Sequence, residues 1–262
     1  MKKRVYAGSG SHKFMLKPSK PDPRDLKVAA SRLAAALPRA DLTALNPPAY
    51  DQGQAGLCFS HAGARCFDTE YFTHVRKFMT PSRLFLGIMT RSDEGTLNQD
   101  AGATLRGAVK AMVKYGICPE SKCPYDVTKM FKLPTKALMT AAEKFQVIKY
   151  YSIANGDLET MRRALSSGYD VMFGARIFTS FESDKVACTG ILPMPAASEG
   201  SLGGHALTCL GFDDSKRMFL VMNSWSEKWG LKGAFWMPYA YFEARLGLVF
   251  DLWVVSQTEI GV

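Results

Sequence analysis

The sequence predicts an α+β protein in which a helical region is followed by a β-rich region. Two hydrophobic patterns along the 262 residues support this prediction. From about residue 50 to 145, apolar residues recur near the 3.6-residue period of amphipathic helices. From about residue 146, runs rich in β-branched and aromatic residues predominate, as in strands. With 47% hydrophobic and 22% charged residues, the chain can bury a substantial core in one unit or two subdomains.

Three segments have the apolar spacing of helices, and five later runs have the composition of strands. The predicted helices begin at Cys58, cover residues 103–115 before Gly116, and follow an N-capping Asp157 as far as Gly168. The predicted strands cover residues 171–177, 206–212, 218–222, 234–237 and 248–255. These elements place helices mainly in the first half of the chain and strands in the second.

A cysteine stands at the start of the first predicted helix, after a loop that contains Gly53 and Gly56. The unpaired amides and the macrodipole of a helix N-terminus stabilise negative charge. Together with a cationic neighbour they can lower a cysteine pKa to roughly 3.5–7.5. Cys58 is therefore a candidate nucleophile near neutral pH. The alternative interpretation is a small buried hydrophobe, which is the commoner fate of an unpaired cysteine.

Three further polar residues match the needs of a cysteine nucleophile. An imidazole must take the thiol proton and later deliver it to the leaving amine, and a third group must orient that imidazole. His205 and Asn223 can supply these two groups. Gln52, six residues before Cys58, can donate its amide to an oxyanion alongside the Cys58 N–H. Together the four residues predict acyl transfer.

In order and spacing, Gln52, Cys58, His205 and Asn223 resemble the oxyanion glutamine, nucleophile, base and orienting residue of papain-like cysteine proteases. His205 lies 147 residues after Cys58, inside the range of about 130–150 typical of that family, and Asn223 lies somewhat beyond it. The resemblance extends over roughly residues 47–240. Its further matches are Tyr115-Gly116-Ile117, Pro124-Tyr125, Gly190-Ile191 and Gly211-Phe212.

The resemblance implies a papain-like two-domain fold, with a helical domain facing an antiparallel β-barrel-like domain and the active site in the cleft between them. The implied division is a basic, partly disordered leader (1–40), a helical domain carrying the nucleophile (41–145) and a β-rich domain carrying His205 and Asn223 (146–262). Trp225 is expected to cover the hydrogen bond between these two side chains. Gly102, Gly204 and Ala206 are expected to leave room for a substrate main chain, with simple turn and strand packing as the alternative.

The implied function is that of a cysteine endopeptidase, which cleaves peptide bonds of a polypeptide substrate through a thioester intermediate and needs no cofactor. A transamidase or acyltransferase can use the same three side chains with an amine as acceptor. A catalytically silent scaffold that binds through the cleft is the third hypothesis. A catalytically silent protein of this kind usually lacks the nucleophile or the base, whereas Cys58 and His205 are both present here.

Cysteine usage favours a reducing compartment. Ala55 stands where secreted relatives carry a disulfide cysteine, and setting Cys58 aside leaves five cysteines, an odd number. Cys118 and Cys123 can pair locally. No structural metal-ligand spacing occurs, so no metal site is predicted. The basic first residues are not followed by the apolar core of a signal peptide, and no run approaches the roughly 18 apolar residues of a membrane span. We therefore predict a cytoplasmic or other intracellular location.

Most of the net charge of +9 lies in the predicted leader, since residues 1–40 hold ten Lys and Arg against Asp22 and Asp25. A solvated leader that aids solubility is one interpretation. Two others are self-docking in the cleft, in place of an inhibitory propeptide, and contact with a polyanion such as nucleic acid. Within the leader, residues 1–21 are expected to be disordered or extended, and residues 25–37 to form a short helix ended by Pro38.

Overall fold

The computed structural model describes residues 12–147 and 149–256, so residues 1–11 of the leader, with Lys2, Lys3 and Arg4, lie outside it. The α-helices are α1 (Cys58–Val75), α2 (Arg83–Asp93), α3 (Leu105–Lys114), α4 (Lys136–Ala142), α5 (Leu158–Ser166) and α6 (Asp184–Thr189). The strands are β1 (Arg39–Asp41), β2 (Lys149–Ile153), β3 (Val171–Phe178), β4 (Ser201–Asp213), β5 (Met218–Met222), β6 (Ala234–Pro238) and β7 (Val249–Ser256). The predicted α+β order is confirmed.

The three helices predicted from apolar spacing are present, and their ends follow local chemistry. Helix α1 begins at Cys58. The Asp157 side chain accepts a hydrogen bond from the Thr160 N–H and so caps α5, as expected. After α3, Gly116 adopts a φ of 75°, and a Cβ there would lie 2.0 Å from the carbonyl oxygen of Ala142. Glycine is therefore needed where the chain turns closely against the end of α4.

The prediction of a helix over residues 25–37 is wrong. The structure has only a one-turn 3-10 helix there, Ala30–Arg32. The neighbouring backbone bonds elsewhere, because the Val28 N–H donates to the carbonyl of Ser152 and the Ser152 N–H donates to the carbonyl of Leu26. Pairing with β2 thus supplies the hydrogen bonds that a helix would have made, and tertiary contacts override the local helical preference.

All five predicted strands are present, and they join β1 and β2 in one antiparallel sheet of seven strands within the described residues. The order along the sheet is β2-β7-β3-β4-β5-β6, and β1 pairs with the far end of β4. Strand β4 is the longest and lies at the centre: residues 201–209 pair with β3, residues 211–213 pair with β1, and β5 runs along its other edge. A substitution that distorts β4 therefore affects its pairing with β1, β3 and β5 at once.

Two large apolar clusters make up most of the core and meet at β4, and a smaller third cluster contains Leu210 of the same strand. The first consists mainly of α1, α2 and α3. The second lies between the sheet and helices α5 and α6. Successive side chains of a strand point to opposite faces, and accordingly Ala206 belongs to the helical cluster whereas Leu207 belongs to the sheet cluster. The start of α1 packs at this boundary, so Cys58 and the β4 residues lie together where the two clusters meet.

A buried polar network fixes α1 to the chain that precedes it and to the start of β3. The Arg65 guanidinium donates to the carbonyls of Pro47, at 2.7 Å, and Pro48, at 2.9 Å. The Asn46 amide donates to the Asp170 carboxylate at 3.2 Å. Burial raises the pKa of Asp170 to about 7.

Among the described helices, none combines the length and the hydropathy that crossing a bilayer requires.

Candidate active site

The Cys58 thiol is fully buried at the N-terminus of α1. The backbone N–H groups of Ala206, Phe59 and Cys58 itself lower the pKa of this thiol. Two of these donors belong to the first turn of the helix, and the third belongs to β4. The sulfur is therefore held between the helix N-terminus and the strand residue that follows His205.

His205 and Asn223 meet because of the register between β4 and β5. Thr208 pairs with Met222, so the residues after β5 run back alongside the residues before Thr208. His205 Nε2 lies 2.8 Å from Asn223 Oδ1, and both side chains are buried. An amide oxygen only accepts, so Nε2 carries the proton of this hydrogen bond. The other ring nitrogen, Nδ1, has no hydrogen-bond partner among the described residues.

Aromatic rings enclose the imidazole of His205. The Trp225 ring lies beside it, with a centroid separation of 5.5 Å. Phe181 and Phe14 present their edges to it at 6.2 and 5.7 Å. These rings exclude water from the hydrogen bond between His205 and Asn223, which strengthens it electrostatically. Trp225 thus lies where the resemblance implies a cover for this pair.

Gln52 is held by the chain segment that follows Asn223. Its backbone N–H donates to the Ser224 carbonyl at 2.9 Å, and its side-chain oxygen accepts from the Ser224 hydroxyl at 2.5 Å. The side-chain nitrogen donates to the carbonyl of Ala55 at 3.0 Å. The amide oxygen is therefore directed at Ser224, and its N–H groups are directed at the loop before Cys58.

Two residues that support this arrangement were not singled out from the sequence as functional. One is Ser224, and the other is Tyr125, whose hydroxyl donates to the backbone carbonyl of Gln52 at 3.0 Å. Both stand inside segments that carry the resemblance, Asn223-Ser224-Trp225 and Pro124-Tyr125. These matches could have pointed to Ser224 and Tyr125. Sequence spacing alone, however, does not show which side chains contact Gln52.

Residues 12–17 of the leader, here called the strap, cross the site. The Leu16 N–H donates to the Gly204 carbonyl at 3.0 Å, and the Lys17 N–H donates to the Ala103 carbonyl at 3.1 Å. A Cβ on Gly102 would lie 2.0 Å from the carbonyl oxygen of Met15, and one on Gly204 would lie 2.3 Å from that of Leu16. The glycines expected to face a substrate main chain thus face the strap, while the Ala206 N–H faces the Cys58 sulfur.

Strap side chains fill the space around the catalytic candidates. The imidazole of His12 stacks on Trp225 at a centroid separation of 3.9 Å. Leu16 is buried, and one of its methyl carbons lies 2.8 Å from where a Cβ on Gly174 would be. The Lys13 ammonium lies 2.7 Å from the Asp100 carboxylate, which also accepts the Gly56 N–H. Apolar burial and an ion pair both hold the strap in place.

In this covered site the expected low pKa of Cys58 is not observed. Burial raises the pKa of the Cys58 thiol to about 11, and the nearby backbone N–H groups offset only part of that effect. Burial also lowers the pKa of His205 to about 4. A neutral thiol and a neutral imidazole therefore coexist at neutral pH. The helix N-terminus favours the thiolate, as the sequence indicates, but loss of hydration outweighs it.

All six cysteines lie in the described residues, and all are free thiols. No group of three or more His, Cys, Asp or Glu side chains within residues 12–147 and 149–256 is arranged to hold a metal ion.

A family model described as papain family cysteine protease matches residues 39–244. An uncharacterized peptidase C1-like protein, L477, of Acanthamoeba polyphaga mimivirus is 37% identical over 215 residues, which cover 79% of this chain and 69% of that protein. The structure of xylellain, a cysteine protease from Xylella fastidiosa, has a TM-score of 0.85 at 30% identity and covers 97% of this chain and 100% of its own. Bromelain from Ananas comosus shares the fold, with a TM-score of 0.65 at 14% identity over 85% of this chain and 100% of its own. The predicted papain-like fold is confirmed.

Removal of the strap should shift the ionisation of Cys58. In the full chain the rate of iodoacetamide labelling should rise with pH toward about 11, because only the thiolate reacts. In a chain lacking residues 1–18, water reaches the sulfur and the apparent pKa should fall. Mass spectrometry of the Cys58 peptide measures the rate, and the exposed Cys188 in the same digest serves as the control. Identical pH profiles in the two chains would contradict this prediction.

Proposed function

Because the chain belongs to the papain family of cysteine proteases, we propose that it is an endopeptidase whose nucleophile is Cys58 and whose base is His205. The observation that carries the proposal is the convergence at β4. The Cys58 sulfur lies against the N–H of the residue after His205, and the His205 imidazole is fixed at 2.8 Å from Asn223. This arrangement supports the roles of nucleophile, base and orienting amide for Cys58, His205 and Asn223.

In the proposed mechanism, each group has one step. Since Nε2 of His205 is engaged by Asn223, Nδ1 is the atom that takes the thiol proton and gives it to the leaving amine. The Cys58 thiolate attacks the peptide carbonyl, and the resulting oxyanion accepts from the Cys58 N–H and the Gln52 side chain. Loss of the amine leaves a thioester, which water hydrolyses with His205 as the base.

We further propose that the strap keeps this site latent. It hydrogen-bonds to the Gly204 carbonyl and lies against Gly102, the two positions expected to contact a substrate main chain. A substrate and the strap therefore cannot occupy the cleft at once. Burial under the strap also opposes the thiolate and imidazolium forms that catalysis requires. Contact of the leader with a polyanion stays a prediction.

The assignment of the nucleophile can be tested by covalent labelling. A chain lacking residues 1–18 should be modified by an epoxysuccinyl inhibitor at Cys58, as located by mass spectrometry, and should hydrolyse peptide substrates. The Cys58→Ala variant should lose both properties, because no other group can form the thioester. A Cys58→Ala protein as active as its parent would contradict the assignment. Aminolysis products that dominate over hydrolysis with an added amine would identify an acyltransferase instead.

The oxyanion role of Gln52 predicts a specific loss of rate. Removing one oxyanion donor typically lowers kcat about 10²–10³-fold, so Gln52→Ala should be slow but measurable. Gln54→Ala is the matched control, because Gln54 lies in the same loop and is exposed. Its kcat should match that of the parent chain. Steady-state kinetics of both variants, made without residues 1–18, check the prediction, and equal rates for the two would remove Gln52 from the mechanism.

Latency predicts that shortening or weakening the strap raises activity. Loss of residues 1–18 should raise initial peptidase rates, while the Ser152 pairing of residues 26–28 is retained. In the full chain, Leu16→Ala removes roughly 2 kcal/mol of apolar burial and should weaken strap docking about 30-fold. Lys17→Ala is the control, because its side chain is exposed and only its backbone N–H is used. Equal initial rates for the full chain and the shortened chain would contradict latency.

A further inference from the structure

Two buried cysteines face each other in the turn that follows α3. Cys118 is fully buried and Cys123 is 9% exposed. The interaction between the two thiols raises the pKa of Cys118 and lowers that of Cys123. Both cysteines are free thiols.

The backbone holds the two cysteines together independently of their thiols. The Ser82 N–H donates to the Cys118 carbonyl at 2.8 Å, and the Ser82 hydroxyl donates to the Cys123 carbonyl at 2.6 Å. Within the turn, the Cys123 N–H donates to the Pro119 carbonyl. Pro119 in turn forms a bridge with Pro81. One serine thus fixes both carbonyls and keeps the backbone of the two cysteines close together, as a disulfide requires.

The same turn supports the oxyanion loop. Cys123 is two residues before Tyr125, whose hydroxyl donates to the Gln52 carbonyl at 3.0 Å. The Tyr125 N–H donates to the Glu120 carboxylate at 2.7 Å, and Arg83 donates to the same carboxylate at 2.9 Å. A change that stiffens residues 118–123 is therefore passed through Tyr125 to the loop that carries Gln52.

We propose that Cys118 and Cys123 are a redox-active dithiol that closes reversibly into a disulfide and so braces the Tyr125 side of the oxyanion loop. The proposal stands apart from peptidase activity, because closure of the bond needs neither Cys58 nor a substrate. The pair is also distinct from Cys58, which is fully buried, and from Cys188, which has an exposed side chain.

The oxidant is a small-molecule disulfide such as glutathione disulfide. The neighbouring Cys118 thiol lowers the pKa of Cys123, so Cys123 is the attacking thiolate. Its sulfur bonds to one glutathione sulfur, and the other leaves as a thiolate. Cys118 then loses its proton and displaces the bound glutathione. The two protein thiols lose two electrons and two protons, and two molecules of glutathione are formed.

Trypsin provides a direct test, because it cleaves after Lys122, between the two cysteines. The full chain is equilibrated in glutathione buffers of different ratios, quenched in acid, alkylated with iodoacetamide and digested. At oxidising ratios the peptides carrying Cys118 and Cys123 should be recovered as one joined species, two hydrogens lighter than their sum. Reduction should separate them. Recovery of the two peptides singly, alkylated or joined to glutathione, at every ratio would overturn the proposal.

The bracing of the oxyanion loop by the disulfide can be measured separately, by amide hydrogen exchange. Exchange in the peptide that covers residues 50–57 should be about threefold or more slower in the disulfide form than in the dithiol form. Tyr125→Phe is the matched variant, because it should still form the joined peptides but lose this difference in exchange. Equal exchange in the two redox states of the parent chain would refute the brace.

Discussion

The antiparallel contact between residues 50–52 and 224–226 is the interaction on which the site depends. It contains the bridge between Asp51 and Trp225 and the hydrogen bonds from Gln52 to Ser224 and from Ser226 to Tyr50. One segment leads into α1 and Cys58, and the other follows β5 and carries Asn223. This pairing joins the segment that leads to Cys58 to the segment that carries Asn223, and so holds Gln52, Cys58 and Asn223 in one frame across the two main apolar clusters.

Within that frame, loss of hydration determines whether the Cys58 and His205 side chains are charged. The helix N-terminus and three backbone N–H groups favour a negative sulfur, yet burial is the larger effect on the Cys58 pKa. The same rings that protect the hydrogen bond between His205 and Asn223 also disfavour the charged imidazole. A cleft shielded from water can catalyse a reaction only after a polar substrate has replaced the residues that cover it. The same packing is therefore compatible with both a latent and an active form.

The sequence was sufficient for features that depend on periodicity and on chemically matched residues. It predicted the Cys58 helix, the Asp157 cap and the five strands, whereas the catalytic roles of Gln52, Cys58, His205 and Asn223 stay predictions. It failed where tertiary pairing competes with local preference, as in residues 25–37, whose backbone bonds to Ser152 instead of forming a helix. The pKa of Cys58 was also missed, because desolvation depends on residues more than forty positions away along the chain.

The strap belongs to the same molecule as the cleft, and the hydrogen bond between Val28 and Ser152 anchors it only about ten residues away. Its local concentration at the site is therefore set by the length of this tether and not by the amount of protein present. Dilution cannot release it, and rebinding after a spontaneous opening is a first-order event. A polypeptide that enters the cleft must outcompete a tethered neighbour, whereas a single cut in the tether makes the release permanent.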